Sequence, residues 1–113
     1  MDLAATREGA CLVVVVGDAE VDLRVSDDFR DAALDAYERS GARHLLLDLG
    51  AVSFVDSKAI GAMVAIRKAV AANGGRLGLC GLHPHVEKLI RVVTLGTLFD
   101  AFDSREEALA RYR

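Results

Sequence analysis

The chain has no tryptophan, a single proline and only two cysteines among its 113 residues. Scarce proline excludes a loop-built or linker-rich chain, and a charged fraction of 27% is ordinary for a soluble domain. Cys11 and Cys80 lie far apart in the chain, with no Cys-x-x-Cys and no Cys/His cluster, which excludes a disulfide framework. Each sits in or beside an apolar run, as a buried reduced thiol would; whether they could form a redox-switched disulfide depends on their separation in space. Long apolar runs are missing too. The stretch Cys11–Val16 is six residues, too short for a signal-peptide core and far from the ~18 residues of a membrane span. The N-terminus Met1–Glu8 has no basic leader, so the chain is expected in the cytoplasm. Basic charge is in deficit, 14 Lys and Arg against 17 acids, for a net charge of −3 and no local basic cluster. A nucleic-acid footprint is thereby excluded.

What the chain does have is aliphatic residues. Ala, Leu, Val and Ile supply 49 of 113 positions, enough to expect one compact domain over 1–113, with residues 1–10 as a short lead-in. Cys11-Leu-Val-Val-Val-Val16 reads as a strand buried on both faces. A short strand around Val21–Val25 is expected next. Ser26 is placed as an N-cap for a helix whose apolar positions are Phe29, Ala32, Ala33, Ala36 and Tyr37, stopped at Gly41. His44–Leu49 reads as a second buried strand, Gly50–Val55 as a short β-leaning stretch, and Asp56-Ser57 as the start of a helix to Asn73. Arg76–Leu82 is a further strand. A third helix opens at Pro84 with Val86, Leu89, Ile90 and Val93 as its apolar face, and ends at Gly96. Ser104-Arg-Glu-Glu107 is a capping box before a last short helix. Strands alternating with helices predict an α/β domain with a mixed, mostly parallel sheet and about four helices.

Chemistry is sparse. No phosphate-binding glycine loop, no nucleophile elbow and no metal-ligand spacing of His, Cys, Asp or Glu occurs, so no catalytic residue, metal site or cofactor is expected. His83 and His85 flank Pro84 in a loop and read as exposed. Two features remain. Asp18, Glu20 and Asp22 form an acidic turn, either solvated or, with Asp48 or Asp56, a carboxylate cluster. Phe54-Val55-Asp56-Ser57 stands at a strand-to-helix junction, where a hydroxyl meets free backbone N–H groups and the positive helix end. Such a place stabilises an added phosphate; the alternative reading makes Asp56 or Ser57 an ordinary helix cap.

These residues resemble the STAS family of bacterial anti-sigma factor antagonists. The resemblance rests on Leu45-Leu-Leu-Asp-Leu49, Val52-Ser-Phe-Val-Asp-Ser57, Ile60-Gly61, Lys68, Asn73-Gly-Gly-Arg-Leu77, Leu95-Gly-Thr-Leu-Phe99 and Glu107-Ala-Leu109. Asp22 matches the family's early Asp. The resemblance covers the chain from about Cys11 onward. It implies a small STAS-like sandwich that catalyses nothing and docks on an anti-sigma factor, often a GHKL-type serine kinase, thereby releasing a sigma factor. It further implies a phosphorylatable hydroxyl at this helix start. The family motif Asp-Ser-Ser/Thr-Gly reads Asp56-Ser57-Lys58-Ala59 here, so Ser57 is the one hydroxyl left. The expected partner-binding residues are Asp22, Asp56, Ser57, Lys58, Ala59, Ile60 and Gly61, with Asp22 and Asp56 facing the partner. Two rival readings stand beside it: a phosphorylation-independent STAS scaffold or transport accessory module, and a response-regulator-type phosphoacceptor with Asp48 as acceptor and Asp18 or Glu20 as metal ligands.

Overall fold

The computed structural model describes residues 1–94 and 96–112; Leu95 of the Leu95–Phe99 motif lies outside them. The elements are β1 (Leu3–Glu8), β2 (Cys11–Val16), β3 (Glu20–Val21), α1 (Ser26–Ser40), β4 (His44–Asp48), β5 (Phe54–Val55), α2 (Ser57–Ala72), β6 (Leu77–Cys80), α3 (Pro84–Thr94), β7 (Asp100–Phe102) and α4 (Arg105–Arg111). Five strands form one sheet in the order β1-β2-β4-β6-β7, antiparallel only between β1 and β2. This is the expected mixed, mostly parallel α/β architecture with four helices.

Two-sided burial explains the aliphatic strands. Leu12, Val14 and Val16 of β2, with Leu45 and Leu47 of β4, face a core that includes Phe29 of α1, Ile60, Met63, Ile66 and Val70 of α2, and Val86 and Ile90 of α3. The alternate residues Cys11, Val13, Leu46 and Cys80 face a smaller core closed by Phe102, Ala108 and Tyr112. Gly78 belongs to that second face: a Cβ there would stand 2.7 Å from the Tyr112 hydroxyl, so a glycine lets Tyr112 lie over β6.

Several expectations are corrected. Residues 1–10 are not a lead-in, because Leu3–Glu8 forms the edge strand β1, joined to β2 through a turn at Gly9, whose φ is +61°. The strand expected at Val21–Val25 shrinks to Glu20–Val21. Ser26 is not the cap of α1: it is buried inside the first turn, Val25 precedes the helix, and no side chain caps it. Gly41 does end α1 in the left-handed conformation, with φ +68°. Leu89 and Val93 turn outward on α3, which buries Val86, Ile90 and Thr94 instead. β7 is unforeseen; three residues held by one neighbour leave too short a pattern to read. Cys11 and Cys80 are both free, and they lie two strands apart on either side of β4. Two strand spacings total about 9.6 Å, beyond the reach of a disulfide. Burial pushes both thiols up to about 11, leaving them protonated and inert.

One titration is built into the lower end of the sheet. His44 stacks on Tyr112 with ring centroids 4.9 Å apart, and its Nδ1 accepts a hydrogen bond from the Arg76 backbone N–H at 3.0 Å. Burial first, then Arg43 and Arg76, lower its pKa below the usual histidine value. Below about pH 6.5 the unfolded chain therefore takes up a proton that the folded chain refuses, and stability falls with pH. Asp22 and Asp100, whose pKa values are lowered from 3.8, contribute stability that is lost only in more acidic solution. Urea titrations from pH 7 to pH 5 should show falling stability in wild type. In His44→Asn, which keeps an acceptor but does not titrate, the slope should flatten; an equal slope in both would exclude His44 as its source.

Candidate functional site

The C-terminal ends of β4 and β6 carry a knot of short connections from which α2 emerges. His83 Nε2 bonds the Gly50 carbonyl at 2.9 Å, and His85 Nε2 bonds the Ser53 carbonyl, so both histidines clasp the loop before β5. His85 is exposed as expected and His83 partly so, and each also has a backbone partner. The Ser53 and Phe54 backbone N–H groups both donate to the Ala19 carbonyl, at 2.8 and 3.2 Å. The two-residue parallel pair β3–β5 then sets Glu20 beside Phe54 and Val21 beside Val55.

Asp56 closes this knot. Its Oδ1 accepts from the Ala59 N–H at 2.9 Å, capping α2, and its Oδ2 accepts from the Leu23 N–H at 2.8 Å. Asp22 accepts from the Arg24 N–H at 3.0 Å and pairs with the Arg24 guanidinium at 2.8 Å, which holds its carboxyl below the usual range. Asp22 and Asp56 thus each bond groups of their own chain, which gives both a structural role in the knot. Ala59 and Ile60 are corrected: both are fully buried core residues of α2.

Ser57, Lys58 and Gly61 are exposed on one side of α2. With Ser26, Asp27 and Arg30 of α1 they line a shallow groove of about 250 Å³. A Cβ on Gly61 would meet nothing within 4 Å, so no contact inside the chain requires glycine there. Lys58 forms no ion pair among the described residues, and no acid stands in the first turn of α2 to complement its dipole.

Two residues outside the expected binding set complete the surface. Leu23 is 69% exposed and Phe54 48% exposed, two of the six large apolar side chains exposed among the described residues, and both adjoin Asp56. Phe54 carried a signal in being one of six aromatics, set between a serine and a buried valine. Around them the charge is lopsided. Residues 18–31 hold six acids against two arginines, a net −4 within a chain of net −3. The resulting surface is an apolar centre with an acidic rim and one unpaired cation.

The carboxylates named for the receiver-type reading all have partners within the chain. Asp48 is occupied by the Gly50 N–H at 3.0 Å and Arg105 at 2.9 Å, Asp18 accepts from the Asp2 N–H, and Glu20 pairs with Arg24. Among the described residues no three His, Cys, Asp or Glu side chains gather at one place. No described helix is long and apolar enough to cross a membrane.

Comparison with known proteins places this geometry in a family. Residues 3–108 match the STAS domain. The anti-sigma F factor antagonist of Paenibacillus polymyxa is 27% identical over 103 residues, spanning 91% of this chain and 86% of that one. An anti-sigma-factor antagonist (STAS) domain protein from Planctomyces limnophilus superposes with a TM-score of 0.88 at 21% identity, covering 99% and 98% of the two chains. The phosphorylated form of the Bacillus cell fate determinant SpoIIAA superposes with a TM-score of 0.72 at 20% identity, covering 99% and 100%. At these identities the solved structures establish the shared fold.

Proposed function

The chain belongs to the STAS domain family, and we propose that it works in the cytoplasm as an anti-sigma factor antagonist, a binding module with no catalysis of its own. The observation that carries this reading is the exposed cluster of Leu23, Phe54, Ser57, Lys58 and Gly61 around a helix start fixed by Asp56. Its partner is an anti-sigma factor of the GHKL serine-kinase type, whose sequestration releases a sigma factor. The acidic rim at residues 18–31 favours a partner with a basic contact surface and makes encounter faster at low salt. Association of the purified pair should slow steeply with added sodium chloride, whereas a flat salt dependence argues against steering by this rim.

Ser57 is the acceptor in this reading. A phosphate on its exposed hydroxyl adds about −1.5 to −2 charge beside the free N–H groups of the first turn and Lys58. The domain accommodates that charge, while a partner docked over an already acidic face meets repulsion and desolvation. Ser57→Asp is expected to keep its melting temperature within a few degrees and to bind at least about tenfold more weakly, about 1.4 kcal/mol. Incubation with the kinase and ATP, followed by peptide mass spectrometry, tests the acceptor directly. If wild type stays unmodified while Lys58→Ser is phosphorylated at position 58, Ser57 is not a switch and the chain binds without phosphorylation control.

A further inference from the structure

The two edges of the sheet differ. β7 is three residues long, with Asp100 tied to Arg76 and Tyr112. β1 is six residues long, keeps unbroken register with β2 from Leu3–Val16 to Glu8–Cys11, and is exposed from Ala4 to Glu8. No described strand pairs with its outer side. Soluble proteins usually blunt such an edge with proline, charged side chains, a bulge or short length, and of these β1 has only the charges Arg7 and Glu8 at its end. Arg7, its one basic residue, is folded back on its own chain: Nε donates to the Gly9 carbonyl at 2.9 Å and Nη1 to the Ser40 carbonyl at 2.6 Å.

The groups facing outward follow from the ladder. The Gly17 N–H donates to the Asp2 carbonyl at 2.8 Å, which makes Asp2–Gly17 a hydrogen-bonded pair. By alternation, Ala4, Thr6 and Glu8 direct their backbone groups at β2, and Leu3, Ala5 and Arg7 direct theirs at the open edge. We propose that this edge pairs antiparallel with β1 of a second copy of the chain, joining two sheets about a two-fold axis. Self-complementarity selects both the occupant and the register. Centred on Ala5, the pairing would set Asp2 against Glu8 twice. Centred on Thr6, it sets Thr6 against Thr6, Ala4 against Glu8 and Ala5 against Arg7, with no like charges opposed. The middle of the strand, Ala4-Ala5-Thr6, is small and uncharged, so another copy approaches without steric or charge conflict. The contact is isologous and closes at two copies. A single strand pair covers well under the ~1,600 Å² of a standard interface, so the dimer is weak and concentration-dependent. It shares no residue with the cluster around Ser57.

The test uses the chain alone, so its failure leaves the proposed docking function untouched. In sedimentation equilibrium the mass should rise from 12.1 kDa toward twice that value as concentration goes from about 10 µM to about 1 mM. Ala5→Pro removes an outward N–H that bonds nothing within the chain; it should stay monomeric with an unchanged circular dichroism spectrum. Should that variant unfold, Ala5→Lys places a like charge at the same edge and should act alike. In the Thr6-centred register the two Thr6 Cα atoms lie about 4.5 Å apart, within disulfide reach. Thr6→Cys should therefore cross-link on mild oxidation, and the buried native thiols do not compete. A mass of 12.1 kDa at every concentration, or a dimer undiminished in both Ala5 variants, overturns the proposal.

Discussion

Phe54→Ala is expected to weaken binding to the anti-sigma partner by roughly 10- to 30-fold, and Phe54→Ala with Leu23→Ala by about 100-fold or more, with little change in melting temperature. Interface energy concentrates in a few large apolar side chains near the centre of the contact, each worth about 1–2 kcal/mol or more when truncated. Phe54 and Leu23 are the large apolar groups left exposed beside the start of α2, 48% and 69% respectively. Their exposure also sets the stability side of the expectation, because surface substitutions away from caps and cores usually stay within about 0.5 kcal/mol. Calorimetric titration alongside thermal melts reads both effects. A double variant that binds like wild type removes this patch from the interface.

Asp56→Ala is expected to destabilise the fold by about 2–3 kcal/mol. The carboxylate makes two bonds at once, to the Ala59 N–H and to the Leu23 N–H, so alanine removes a helix cap and the tie between the β3–α1 connection and α2. Losing a cap costs about 1 kcal/mol, and the second bond adds a comparable amount. Asp56→Asn keeps one oxygen acceptor and should lose roughly half as much. Urea denaturation of the three proteins checks the order wild type, Asn, Ala. Should Asp56→Ala match wild type in stability yet fail to bind, Asp56 is a partner contact after all.

The contrast between these two residues shows where sequence reasoning reached and where it stopped. The unbroken apolar runs within Cys11–Val16 and His44–Asp48 made buried parallel strands readable, since both faces of those strands are covered and both demand aliphatics. The junction Asp56-Ser57 was readable because helix caps draw on few residue types. β1 escaped detection because an edge strand with exposed side chains carries no hydrophobic alternation. Asp56 as a clamp on Leu23, 33 residues away, depends on tertiary placement that no local spacing encodes. Ala59 and Ile60 follow the family motif in sequence, yet the helix turns them inward while Ser57, Lys58 and Gly61 face out. A motif is contiguous along the chain; the surface it makes occupies one side of a helix with a period of about 3.6.

The central claim is that the chain docks through the start of α2 and the turn beside it. Amide chemical-shift mapping of the ¹⁵N-labelled chain, titrated with the proposed anti-sigma factor, tests it most directly. The largest shifts and broadening are expected at Leu23, Phe54, Ser57, Lys58 and Gly61, with α4 and the lower end of the sheet around His44 unaffected. Perturbations centred on α4 and β7, with the amides of Phe54 and Ser57 unmoved at saturation, would contradict it.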